Sequence, residues 1–95
     1  MKKSLALRAL LKEPGIIVAP GVTTALFGKL IEDTGFSAQF VTGAGMANLH
    51  FGLPDYNLIT MSENLELVKR INDSTACPLI VDIDNGYGSA LNVYR

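Results

Sequence analysis

Three short apolar runs, each passing directly into a glycine-bearing turn, limit this chain to few folds. Gly15-Ile16-Ile17-Val18-Ala19 is closed by Pro20-Gly21, and Phe36 to Val41 by Thr42-Gly43-Ala44-Gly45. Pro78-Leu79-Ile80-Val81 runs into Asp82-Ile83-Asp84-Asn85-Gly86-Tyr87-Gly88. Runs this short and this apolar read as buried strands, and near-continuous apolarity is the mark of parallel strands covered on both faces. The segments between them carry helical spacing. Strands alternating with helices imply an α/β fold with a parallel sheet.

The helices can be read in order. Ser4 can cap a first helix with Leu7, Leu10 and Leu11 on one side, ended by Pro14-Gly15. Val22, Leu26, Phe27, Leu30 and Ile31 mark a second, with Thr23 or Thr24 as cap and Gly35 as stop. Gly52, Pro54 and Asp55 break any period over 46–59, which reads as a long loop with one helical turn. Thr60-Met61-Ser62-Glu63 has capping-box spacing and opens a helix with Met61, Leu65, Val68 and Ile71 on one face. Asp73-Ser74-Thr75 ends it, and residues 89–95 resemble the opening of another helix. The stop at Asn92-Val93-Tyr94-Arg95 and the small core of a three-stranded unit lead to the expectation that residues 1–95 are a single incomplete domain, the front of something larger. A (β/α)8 barrel and a doubly wound domain both begin this way.

The third run carries chemistry. On a strand, Asp82 and Asp84 share one face about 7 Å apart. Two carboxylates beside an apolar run repel each other and resist desolvation, so they call for a cation or water. A hard divalent ion such as Mg²⁺ suits them, because it binds through one or two carboxylates and keeps several waters. The competing reading is that Asp-Asn-Gly is turn chemistry at a strand end.

With 95 residues, 48% hydrophobic and 18% charged at a net charge of -1, the chain is neither disordered nor basic enough for sequence-independent nucleic-acid binding. Cys77 is the single cysteine, so no intrachain disulfide forms and a reducing, cytoplasmic setting is expected. No stretch approaches the roughly 18 apolar residues of a membrane span. Gly43-Ala44-Gly45 fails as a dinucleotide fingerprint, because Asn48 stands where the third glycine would fall. His50 reads as a surface or packing residue before a ligand, Cys77 as packing, and Lys69 and Arg70 as the solvated side of their helix. Tyr87 either packs at the site's mouth or touches substrate.

Taken together and in order, Ala19-Pro20-Gly21, Thr42-Gly43-Ala44-Gly45, Gly52-Leu53-Pro54-Asp55, Asp82 to Gly88 and Ala90-Leu91-Asn92-Val93 resemble the N-terminal part of the isocitrate lyase/phosphoenolpyruvate mutase superfamily. Its short members include methylisocitrate and dimethylmalate lyases, oxaloacetate decarboxylases and phosphoenolpyruvate mutases. The resemblance implies a (β/α)8 TIM barrel, of which this would be about β1 to β3 with their helices, assembled as a homotetramer. It implies Mg²⁺, with Mn²⁺ as an alternative, held by Asp82 and Asp84 with Asp55 acting through water. Thr42, Gly43 and Ala44 match the segment that holds a substrate carboxylate, and Phe40 falls where relatives carry Tyr or Trp. The implied function is a Mg²⁺-dependent carbon–carbon lyase acting on a small 2-oxo or 2-hydroxy dicarboxylate. The alternatives are a P–C bond enzyme of the mutase or phosphonopyruvate hydrolase type, and a non-catalytic remnant that binds metal or a partner subunit. The family's catalytic cysteine loop has no counterpart in these residues, so the 95-residue chain alone is expected to be inactive and prone to self-association.

Overall fold

The computed structural model describes residues 2–95. Its sheet has three parallel strands, β1 (Gly21–Val22), β2 (Gln39–Val41) and β3 (Leu79–Val81), in the order β1-β2-β3. The helices are α1 (Lys3–Lys12), α2 (Ala25–Asp33), α3 (Gly43–Gly45) with a π-helical continuation over Met46–His50, α4 (Met61–Ser74) and α5 (Ala90–Tyr94). The α/β reading with a parallel sheet holds.

Register decides what comes together. Val41 pairs with both Val22 and Val81, so all three strands end level. The Asp82 N–H continues the ladder one step by donating to the Val41 carbonyl at 3.1 Å. The segments after β2 and β3 therefore leave the sheet side by side.

The first strand lies later than the apolar pattern suggests. Residues 16–19 belong to no strand, Ile16 is 93% exposed, and pairing begins where the Phe40 N–H donates to the Pro20 carbonyl at 2.9 Å. Because β2 begins only at Gln39, the run before Pro20 has no neighbour to bond, and apolarity without a partner strand makes no ladder. Phe36 to Ala38 precede β2 for the same reason.

One face of the sheet is packed. Val22, Val41, Met46, Ala47, Ile59 and Ile71 form its core, backed by Ile31, Leu67, Val68, Leu79, Val81 and Tyr87. Phe40 and Ile80, register partners on the opposite face, stay 36% and 37% exposed. The expectation of strands buried on both faces is met on the helical side only.

The caps behave as their chemistry requires. The Thr24 hydroxyl accepts from the Phe27 N–H at 3.2 Å, and Gly35 ends α2 at φ +102°. Thr60 and Glu63 bond each other's backbone N–H at 3.2 and 2.9 Å, a full capping box. Asn92 Oδ1 accepts from the Ser89 N–H at 2.8 Å to start α5. Ser4 does not cap α1, which already begins at Lys3. The buried face of α4 is Asn64, Leu67, Val68 and Ile71, while Met61 and Leu65 are exposed. Arg70 lies on its solvated side, paired with Glu66 at 2.5 Å, an exposed contact worth about 0.5 kcal/mol at most.

Two long-range side chains hold the α4–β3 connection. Lys3 Nζ donates to the carbonyls of Asn72 and Thr75, satisfying the free carbonyl end of α4 with a cation. Glu32 Oε2 accepts from the N–H groups of Ala76 and Cys77, each at 2.7 Å. The Cys77 backbone bond is the main reason that the Glu32 carboxyl sits below its ordinary range. A depressed carboxylate stabilises the fold above its unfolded pKa, and that contribution fades as pH falls through the folded value. Thermal melts in neutral and acidic buffer should show Glu32→Gln losing stability at neutral pH and converging with the parent in acid. Equal separation at both would refute the linkage.

Cys77 is buried, and its Sγ–H donates to the Phe36 carbonyl at 3.2 Å. Burial first, then Glu32, pushes the thiol above its ordinary range. Little thiolate forms at neutral pH. Titration with a disulfide reagent should find Cys77 slow in the native chain and fast after denaturation.

Candidate metal and carboxylate site

Thr42 follows β2 and caps α3, its hydroxyl accepting from the Gly45 N–H at 3.2 Å and its carbonyl from the Met46 N–H at 3.0 Å. The N–H groups of Gly43 and Ala44, first in the helix, have no carbonyl within it to bind. Gly45 must lack a side chain, because a Cβ there would stand 2.5 Å from the Thr42 methyl and 2.7 Å from that of Thr23. The helix then widens into its π-helical stretch and carries Met46 and Ala47 into the core. This corrects the loop expected over 46–59, since the breakers begin only at Gly52, whose N–H bonds the Asn48 carbonyl at 3.1 Å. Irregular chain is confined to residues 52–60 and includes Asp55.

Level strand ends bring the second segment alongside. Asp82 Oδ1 accepts from the Asp84 N–H at 2.9 Å, and Asn85 Oδ1 from the Tyr87 N–H at 3.1 Å. These Asx-type bonds wind the chain tightly enough to set Asp84 at φ 49° and Tyr87 at φ 62°. Left-handed non-glycine residues cost on the order of 1 kcal/mol or more each, so surrounding contacts must hold them there. Gly86, at φ 77°, has Val93 packed where a Cβ would go.

Both carboxylates reach Gly43. A Cβ built on Gly43 would lie 2.8 Å from Asp82 Oδ2 and 3.4 Å from Asp84 Oδ1. Desolvation first, then the charges of Asp82 and Asp55, push the Asp84 carboxyl above the usual aspartate range. Among the described residues no group of three or more His, Cys, Asp and Glu side chains converges on one point, so Asp55 stands outside the pair.

Hard oxygen donors such as the Asp82 and Asp84 carboxylates suit a hard divalent cation that keeps part of its water shell. The pair could hold such an ion, with the Thr42 hydroxyl and the Gly43 and Ala44 N–H groups next to it. Five of the residues picked out from the sequence, Thr42, Gly43, Ala44, Asp82 and Asp84, thus lie side by side at the strand ends, and Asp55 is not brought into the pair. His50 lies apart, its Nε2–H donating to the Thr23 carbonyl at 2.6 Å. Tyr87 packs against the core, its hydroxyl accepting from Asn64 Nδ2 at 2.6 Å. Asn64 was not expected here. Its signal is a polar residue at a position that continues the Leu67, Val68 and Ile71 face of α4.

A parallel sheet with carboxylates and free backbone N–H groups at the carboxyl ends of its strands belongs to a class of α/β architecture whose sites lie at that end. The family model for phosphoenolpyruvate phosphomutase matches residues 7–95, and the chain belongs to that family. It is 45% identical to the 2-methylisocitrate lyase of Shewanella oneidensis over 75 residues, 79% of this chain and 26% of that protein. It is 38% identical to the 2,3-dimethylmalate lyase of Eubacterium barkeri over 95 residues, covering 100% of this chain and 33% of that protein. Among solved structures, a phosphonopyruvate hydrolase in complex with oxalate and Mg²⁺ superposes with a TM-score of 0.88 at 36% identity, over 99% of this chain and 33% of that one. The phosphoenolpyruvate phosphomutase of Streptomyces platensis subsp. rosaceus gives a TM-score of 0.88 at 33% identity, over 95% and 31%. The chain thus spans about a quarter to a third of the relatives it matches. No helix among the described residues is long and apolar enough to cross a membrane.

Proposed function

We propose that this chain is the N-terminal, metal-holding part of a (β/α)8-barrel enzyme, a Mg²⁺-dependent carbon–carbon lyase acting on a small 2-oxo or 2-hydroxy dicarboxylate. The observation that carries the reading is the convergence of Asp82 and Asp84 on the side-chain-free surface of Gly43, at level ends of β2 and β3. Asp82 and Asp84 would hold Mg²⁺, or Mn²⁺ in its place, with Asp55 acting through water. When bound, the ion supplies positive charge that stabilises the negative charge developing on substrate oxygens as the carbon–carbon bond breaks. The Thr42 hydroxyl, accepting from Gly45, keeps its own proton to donate, and with the Gly43 and Ala44 N–H groups it would take the substrate carboxylate. Preorganised donors of this kind need no rearrangement as charge builds.

The likeness to phosphonopyruvate hydrolase supports a second reading, a P–C bond enzyme using the same pair. The complete protein would work in the cytoplasm as a homotetramer. Pyruvate release from 2-methylisocitrate, 2,3-dimethylmalate and oxaloacetate, with and without Mg²⁺, tests the lyase reading. Mg²⁺-dependent release from one of them is expected. Turnover of phosphonopyruvate with none of the three would replace it with the second reading.

A further inference from the structure

Asn64 is buried in α4 at 4% exposure, yet its hydrogen-bonding capacity is only half used. Nδ2 donates to the Tyr87 hydroxyl at 2.6 Å and reaches the Asp82 carbonyl at 3.5 Å, while Oδ1 has no partner. A buried amide with an orphaned oxygen serves folding less well than an apolar side chain of the same shape. Packing alone does not account for it. What it touches are the two ends of the Asp82–Tyr87 turn.

The side-chain bonds inside that turn are local, Asp82 to Asp84 and Asn85 to Tyr87, and the sheet holds its first residue through the Asp82 N–H on the Val41 carbonyl, short of the left-handed residues that follow. Two of its residues sit in the left-handed region, where an unrestrained chain relaxes. We propose that Asn64 is a positioning residue for the carboxylate pair. By gripping the Asp82 main chain and the Tyr87 hydroxyl from α4, it holds the turn in the conformation that keeps Asp82 and Asp84 over Gly43. The inference rests on reading that pair as a divalent-cation site, and it assigns the site's geometry to a residue that touches neither cation nor substrate.

The test uses Asn64→Leu, Tyr87→Phe and the double variant in the complete protein. Mn²⁺ affinity is read by electron paramagnetic resonance, the 84–87 amides by hydrogen exchange without metal, and global stability by metal-free melting. Each single change should weaken Mn²⁺ binding about tenfold, as loss of a supporting contact around a metal typically does. Exchange at those amides should speed up, and the melting temperature of Asn64→Leu should hold or rise. The double variant should be no worse than Asn64→Leu, which already removes both contacts of the grip. Unchanged affinity and exchange in Asn64→Leu would overturn the inference, as would additive losses in the double variant. A parent protein that binds no Mn²⁺ would refute the cation reading instead. The exchange rates would then decide the grip alone, and equal rates in parent and Asn64→Leu would overturn it.

Discussion

Asp84→Ala in the complete protein should abolish Mg²⁺-dependent cleavage, lowering turnover by roughly a hundred- to a thousandfold, the scale on which removing one electrostatic contact to a transition state is felt. The effect should come from lost cation binding, because Asp84 is one of the two carboxylates placed over Gly43. Asp84 also occupies a left-handed position that Ala adopts poorly. Asp84→Asn separates the two effects, since Asn tolerates that backbone and removes the charge alone. It should be as inactive as Asp84→Ala and no less stable without metal than the parent.

The direction of the Asp84 shift adds a pH signature. Its carboxyl is raised by burial, by Asp82 and by Asp55, so a proton competes with the cation at a higher pH than at an ordinary aspartate. Cation affinity should fall on acidification within a window above the usual aspartate range. Without metal, stability linked to Asp84 is present below its unfolded pKa and is lost as pH rises through the raised folded value. Asp55→Asn removes one of the repelling charges and should move the affinity window down. Isothermal titration with Mg²⁺ across pH measures this, and an unmoved window would remove Asp55 from the site's electrostatics. Near-normal turnover in Asp84→Asn would end the metal assignment.

The fold's order was legible because each element carries its own punctuation. Thr24, Gly35 and the Thr60–Glu63 box act locally, through bonds spanning four residues or fewer, and local chemistry can be read from local sequence. The candidate residues Thr42, Gly43, Ala44, Asp82 and Asp84 stand out for a related reason, as each lies in a turn directly after an apolar run, whereas Asp55 is picked out by the family resemblance alone. What could not be read depends on partners far along the chain. The apolar run before Pro20 looks like a strand but has no neighbour beside it, a matter of where β2 begins. Lys3 and Glu32 look like surface charges until the α4–β3 connection comes within reach of both. The α4 face was misjudged because Met61 and Leu65 share the helical period of Val68 and Ile71, yet Asn64 is the residue turned inward. Tyr87 on a distant turn supplies the bond that brings a polar residue inside.

Gly43→Ala should show what that convergence is for, because its effects on fold and on site have opposite signs. Gly43 opens α3 outside the left-handed region, so alanine fits its backbone and restricts the unfolded chain, a gain of about 0.4–1 kcal/mol. The new Cβ would point away from the core and at the carboxylates, 2.8 Å from Asp82 Oδ2 and 3.1 Å from its Cγ. Asp82 is short, its backbone N–H is bonded to Val41 and its Oδ1 to the Asp84 N–H, so it can yield only by turning off the pair. Metal-free melting should therefore be unchanged or slightly higher while Mg²⁺ affinity drops about tenfold or more, the range found when a metal site's supporting geometry is disturbed. Gly45→Ala provides the contrast. Its Cβ meets the methyls of Thr42 and Thr23 at 2.5 and 2.7 Å, so it should lower stability together with affinity. If Gly43→Ala bound Mg²⁺ as tightly as the parent, the two carboxylates would not need the space that glycine leaves. The meeting of the β2 and β3 ends would then be a packing feature without a ligand.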